Sequence, residues 1–365
     1  MCDILVVCGS DVIIISVKDI LLTQTNNPSV DWSRWRRRAI EQSAKQIYGA
    51  ERALERLHRV VQEDGSEGLP LPPPAQRRIH RIAIAFGGSG EVPLTYGDFG
   101  RGFVHVLDEQ AFDILLAELD TISDFLRYLS TKETYFRRGA RALFEGNEED
   151  LLAFYLQRGR RFPKRVDLLV LGDDLWSGFS RRSDYLQKKA HDRVSYLWDR
   201  LIELHIHGIA AGYAYVSPGL LPAEPALREM ALEDRYWRRV LSKSLIDFLH
   251  LAQEKKVRAR MALSPERKTT YVFLPAYPDE DPRERMAELT ARCWVARDRV
   301  RDHATVVGLA VGEPKQGQPL DLLYLYLPEW TDEDHARAVE AREELGFFRN
   351  PVEFRTNEEE YPSSE

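Results

Sequence analysis

Residues 1–20 read MCDILVVCGSDVIIISVKDI. Two apolar runs rich in β-branched residues, 3–8 and 12–18, each have strand character. Gly9-Ser10 between them suits a two-residue turn with glycine first, so the pair reads as a β-hairpin. With that turn, Cys8 faces Asp11, Val7 faces Val12 and Asp3 faces Ser16. Side chains alternate along a strand, so Ser16 and Lys18 share a face. Directly opposed residues lie close together. Asp3, Ser16 and Lys18 therefore converge at the open end of one hairpin.

Working outward, a linker at Asn26, Asn27 and Pro28 precedes a helix over 31–63. Its apolar stripe is Ile40, Ala44, Ile47, Leu54, Leu57 and Val61. DGSEGLPLPPP then forms an exposed connection, and RIHRIAIAF (78–86) is a strand. GGSGEVPLTYGDFGRG is a glycine-rich loop without a Walker Lys-Ser/Thr, so it is read as a strand connection. FVHVLD is a further strand, and 109–135 is a helix.

Asp, a hairpin of β-branched residues and then x-Lys resembles the PD-(D/E)XK, or restriction-endonuclease-like, nuclease superfamily. The resemblance covers roughly residues 1–86. It runs from that family's second core strand through its third strand, a helix and a fourth strand. Two departures stand out. The family's first helix and strand are missing, and Ser16 stands where the family has an acid. Some family members with Ser-x-Lys take the acid from the next helix, which points to Glu41 here, with Asp31 and then Asp19 as lesser choices.

The resemblance implies a core in which Asp3 and Glu41 hold Mg²⁺ or Mn²⁺ and Lys18 acts on the attacking water. Ser16, Gln42, Lys45, Gln46, Arg37 and Arg38 would face the substrate. The implied reaction is phosphodiester hydrolysis of nucleic acid, DNA foremost, with a role in defence by analogy alone. The implied partners also include a longer gene product or a partner chain, either of which would supply the missing elements, and a second copy of the chain in a homodimer. The alternative is a non-catalytic interaction or scaffold protein that keeps the fold and has lost the chemistry.

Composition narrows the classes. The chain has 365 residues, 44% hydrophobic and 30% charged, with a formal net charge of −7. That excludes a protein coated in positive charge but not a local basic groove. RWRRRAIEQSAKQ places Arg34, Arg36, Arg37, Arg38 and Lys45 near one helix start, with Trp32 and Trp35 for stacking. A second basic run, RGRRFPKR, lies at 158–165. The cysteines Cys2, Cys8 and Cys293 lack zinc spacing and suit a reducing cytosol. The opening run is too short and too interrupted by Asp3, Ser10, Asp11 and Lys18 to span a membrane. The chain therefore reads as cytoplasmic.

The expected fold class is α/β (α+β), in four parts. Residues 1–140 form the nuclease-like region, 141–262 a mainly helical region, and 263–350 a β-α-β-β-α layer. Residues 351–365 form a disordered acidic tail. HIH (205–207) offers two histidines as metal ligands, DDLW (173–176) a second acidic patch, and Asp120 and Asp124 a solvated helix face.

Overall fold

The computed structural model describes residues 2–61, 64–88, 96–138, 141–144, 146–164, 168–211, 220–313, 319–348 and 358–361. The chain is mixed α/β with several mixed sheets. It divides into two units, Met1–Tyr185 and Leu186–Glu365. The sequence reading set boundaries after 140, 262 and 350. The difference has a packing cause. The helices between 186 and 253 bury their apolar stripes on the C-terminal sheet, so they belong to its core.

In the first unit, β1 (Ile4–Cys8) and β2 (Asp11–Asp19) form the hairpin, in the register Cys8↔Asp11, Val7↔Val12 and Ile4↔Ile15. Gly9 turns the chain at φ 60°, a conformation that glycine adopts without a Cβ penalty. The chain then runs through α1 (Pro28–Arg36), a π-turn at Arg37–Glu41 and α2 (Gln42–Leu54). The helix ends nine residues earlier than the periodicity suggests, because 59–61 leave it as a strand. That strand, β3 (Arg59–Val61), pairs antiparallel with β4 (Glu67–Pro70). Leu57 and Val61, expected on the buried stripe, are exposed.

β5 (Arg78–Phe86) returns parallel to β2, and β6 (Gly97–Asp98) and β7 (Phe103–Leu107) complete the sheet. Its order is β1-β2-β5-β7-β6. Parallel interior strands are covered on both faces, which explains their continuous apolar character. One face carries Val12, Ile14, Ala83, Ala85, Val104 and Val106 and packs on Trp35, Ile40, Ala44 and Ile47 of the helical run. A bidentate contact from Arg81 of β5 to Glu51 of α2, at 2.8 and 2.6 Å, fixes that helix on the sheet.

The helix expected at 109–135 is two, α3 (Glu109–Glu118) and α4 (Ile122–Arg137). Thr121 interrupts them by capping α4, accepting from the Asp124 N–H at 3.1 Å. β8 (Arg141–Phe144), α5 (Glu148–Gln157), β9 (Leu168–Leu171) and α6 (Leu175–Phe179) follow, with β8 and β9 pairing parallel.

α7 (Ser183–Asp192) crosses from the first unit to the second. The second unit continues with α8 (Tyr196–Ala211), α9 (Leu220–Ala231) and α10 (Arg235–Gln253). Its sheet is β10 (Arg260–Ser264), β11 (Thr269–Pro275), β12 (Thr305–Val311) and β13 (Leu320–Tyr326), in that order. α11 (Pro282–Arg299) links the parallel pair β11–β12, and α12 (Asp332–Leu345) closes the layer. Tyr271, Phe273, Val307 and Leu309 face α8–α10, while Val272, Leu274, Val306 and Ala310 face α11. Gly308 permits the close approach of α11, since a Cβ there would lie 2.8 Å from Cys293 Sγ.

The tail was expected to be disordered. Residues 358–361 instead lie on α10, where Glu358 meets Arg239 and Lys243. The rest of 351–365 falls outside the described residues.

Candidate functional site

The hairpin pairing runs to Ile4↔Ile15, and Asp3 lies just beyond it, beside Ser16 and Val17. The Asp3 N–H donates to the Ile15 carbonyl at 3.1 Å, and the Val17 N–H donates to Asp3 Oδ2 at 2.7 Å. Lys18 lies two residues beyond Ser16, on the face that α2 covers. There Lys18 Nζ donates to Gln46 Oε1 at 2.7 Å. Gln46 Nε2 lies 3.4 Å from each Asp3 carboxylate oxygen. The glutamine thus stands between the ammonium and the carboxylate and aligns both. Burial pushes the Asp3 carboxyl up. The Val17 N–H, the Ser16 hydroxyl, the Lys18 charge and the Gln46 amide outweigh it and hold the group below the usual carboxylate range.

Ser16 is fully buried, and its hydroxyl oxygen lies within hydrogen-bond reach of Ser43 Oγ, at 3.3 Å. It faces the helix rather than solvent, so it cannot contact a substrate directly. Glu41 is not among the groups that act on Asp3. It pairs instead with Arg36 at 3.8 Å on a half-exposed helix face. The π-turn accounts for this: the extra residue per turn shifts the phase of the helix, so Ser43 and Gln46, not Glu41, come over the hairpin end. Asp31, the second choice, is buried and accepts from the Thr25 N–H at 2.6 Å. Asp19 is exposed at the end of β2. Among the described residues, no group of three or more His, Cys, Asp or Glu is placed to hold a metal ion.

Arg37, Arg38, Gln42 and Lys45 are exposed on the helical run that ends over the hairpin. Trp35 is buried, with its indole N–H donating to the Ile20 carbonyl at 2.6 Å, so it anchors the helix instead of offering a stacking surface. Ser43 was absent from the sequence reading. Its signal was a small polar residue inside an apolar stripe, between Ile40 and Ile47.

The other expected patches are structural. HIH lies on α8. His205 is buried, with Nδ1 2.7 Å from the Leu201 carbonyl, and His207 is exposed beside Glu203. Asp124 is buried against Arg160, a member of the second basic run. Asp173 and Asp174 of DDLW are exposed at the start of α6. Part of the glycine-rich loop, 89–95, is outside the described residues.

The opposite face of the first sheet carries a second polar cluster. Lys132 of α4 is fully buried and donates to both oxygens of Glu148 at 2.6 and 2.5 Å, and Tyr128 donates to the same carboxylate at 2.6 Å. His105 on β7 is fully buried, and neither ring nitrogen has a hydrogen-bond partner. Burial, with the nearby Lys132 charge, holds its imidazole well below the usual range. It is therefore neutral, and Glu133 at 4.0 Å does not form an ion pair with it.

No protein-family model, curated protein or solved structure matches the chain. No helix among the described residues is long and apolar enough to cross a membrane.

Proposed function

We propose that the first unit hydrolyses phosphodiesters of nucleic acid, DNA foremost, at the Asp3–Gln46–Lys18 end of its hairpin. One observation carries the reading. A carboxylate just before β1 and an ammonium on β2 come together at one sheet end, and a glutamine from the following helix bridges them. A parallel strand follows that helix, in the element order of the nucleases that the sequence resembles.

Mg²⁺ is commonly held by one or two carboxylates, with substrate phosphate and water completing its shell. Asp3 fits that minimal role. It is exposed, its neighbours hold it in the ionised form, and its Oδ1 lies 3.4 Å from Gln46 Nε2. A bound Mg²⁺ or Mn²⁺ would neutralise phosphate charge and make water more acidic. Lys18 offers its ammonium to the negative charge that develops on the phosphate in the transition state. Gln46 holds Lys18 in register for that role. Arg37, Arg38 and Lys45 take neighbouring phosphates, and Gln42 adds a neutral polar contact.

A second reading is a non-catalytic interaction protein with this same fold. It is favoured by Glu41, which pairs with Arg36 and leaves Asp3 as the single carboxylate of the cluster.

The test is conversion of supercoiled plasmid to nicked or linear forms with Mg²⁺ or Mn²⁺. Wild-type protein should cleave, and Lys18→Ala and Asp3→Asn should each lose about 10²–10⁴ in rate. Equal cleavage by wild type and Lys18→Ala would reject the site. No cleavage by wild type with either ion would leave the second reading.

A further inference from the structure

The segment 358–361 carries Glu358, Glu359, Glu360 and Tyr361 and lies along α10 and α7 within the second unit. Glu358 presents its carboxylate to two cations, Arg239 Nε at 3.1 Å and Lys243 Nζ. Its main-chain carbonyl accepts from the Tyr236 hydroxyl at 2.7 Å, and the Glu359 carbonyl accepts from Arg239 Nη2 at 2.6 Å. The Tyr361 ring lies against Lys188, 5.8 Å from the ammonium to the ring centroid.

Arg239 is the centre of this face and is fully buried. Only its Nη1 is served by a permanent acid, Asp192 at 3.0 Å. Its Nε and Nη2 both donate to the segment. Without the segment, Arg239 Nε and Nη2 would lose the acceptors they have here, and unmade charged hydrogen bonds are costly. The face therefore offers two cationic donors to any group that takes the segment's place. The segment meets them with one carboxylate and one main-chain carbonyl. The Glu358–Lys243 pair is the weak and salt-sensitive one, since Lys243 is 42% exposed. Arg239 is held more firmly, and only a group that serves its Nε and Nη2 equally well can displace the segment.

The segment also combines carboxylates with a flat ring, set against Arg, Lys and Tyr. Phosphates and bases present the same pairing of anion and ring to such side chains.

We propose that this face of α10 binds the phosphate backbone of a nucleic-acid strand, and that the chain's own segment 358–361 holds it shut. The strand's phosphate replaces the Glu358 carboxylate on Arg239 and Lys243, and a base replaces the Tyr361 ring on Lys188. The inference shares its ligand class with the function proposed above, but it concerns a different unit and needs no cleavage.

A tethered competitor acts at an effective concentration of about millimolar, so a segment that binds its face with a dissociation constant of about 0.1 mM weakens binding about tenfold, and removing it should restore that factor. The experiment measures fluorescence anisotropy of a labelled single-stranded oligodeoxynucleotide. It is run in EDTA on a background carrying Lys18→Ala, Arg37→Ala, Arg38→Ala and Lys45→Ala, so that cleavage and the phosphate contacts proposed at the hairpin do not contribute. The chain ended after residue 357 should bind about tenfold more tightly than the full chain, and Glu358→Gln in the full chain should bind at an intermediate level. Adding Lys243→Ala to the shortened chain should weaken binding and lower the slope of log K against log salt by about 0.7. Equal affinity of the full chain and the Glu358→Gln chain would overturn the proposal. So would a shortened chain whose binding is indifferent to Lys243→Ala. If the shortened chain does not fold, the Glu358→Gln comparison decides alone.

Discussion

Glu233 is a carboxyl group with no exposed surface in the second unit. Ser264 Oγ donates to its Oε2 and the Tyr271 hydroxyl to its Oε1, each at 2.8 Å. Burial pushes its pKa up from 4.5 to about 7, against the opposing pull of those two hydrogen bonds and of Arg267. In the unfolded chain the group ionises at its ordinary value, while in the fold it keeps its proton to about neutrality. The folded state thus binds the extra proton. The stability it contributes is fully present below about pH 4.5 and is lost as pH rises towards 7. The gap of about 2.5, at roughly 1.4 kcal/mol per tenfold, corresponds to about 3 kcal/mol.

Glu233→Gln removes the titration and keeps the shape, since an amide can meet both hydroxyls. The assay is urea unfolding of both proteins at pH 5, 6, 7 and 8, followed by a signal from the second unit. Other titrating groups cancel in the difference. The variant should gain on wild type progressively with pH, by about 2–3 kcal/mol between pH 5 and 8, because part of the change already lies below pH 5. A difference that stays constant within about 0.5 kcal/mol across that range, the usual scatter of additivity, would show that Glu233 ionises normally in the fold.

Three further outcomes follow from the packing. His105→Leu should stabilise the first unit by about 1 kcal/mol, because two buried nitrogens without partners are replaced by carbon; a lower urea midpoint would contradict this. Gly308→Ala should cost about 1–3 kcal/mol through overlap with Cys293 Sγ and Leu289, and Cys293→Ala in the same chain should return much of it; an unchanged melting temperature for the single variant would refute the close approach. Thr331→Ala should cost about 1 kcal/mol, since the Thr331 hydroxyl accepts from the Asp334 N–H at 3.1 Å at the start of α12; thermal melts of the two proteins that superimpose would show that this cap contributes nothing.

Much of the fold was legible because its signals are local. The Gly-Ser turn specifies the hairpin register as far as Ile4↔Ile15, and with it brings Asp3 beside Ser16 at the open end. The β-α-β-β-α pattern of the last third needed only period-2 and period-3.6 patterning and the Thr331 cap. Breaks within long helical stretches were harder. Thr121 and Asp234 each cap a new helix inside a run whose apolar periodicity continues across the break.

The candidate site divides along the same line. The convergence of Asp3, Ser16 and Lys18 follows from strand alternation, which the sequence carries by itself. Which helix residue meets them does not, because helix phase depends on how the run settles on the sheet. A π-turn at Arg37–Glu41 lets Trp35 and Ile47 both bury, and that choice brings Gln46 to Asp3 and Lys18 and leaves Glu41 with Arg36. The same holds for Glu358 and Arg239, whose meeting spans 119 residues. Contacts set by neighbours along the chain are written in the sequence, whereas contacts between distant segments are decided by which apolar faces pack, and only the tertiary structure makes that choice.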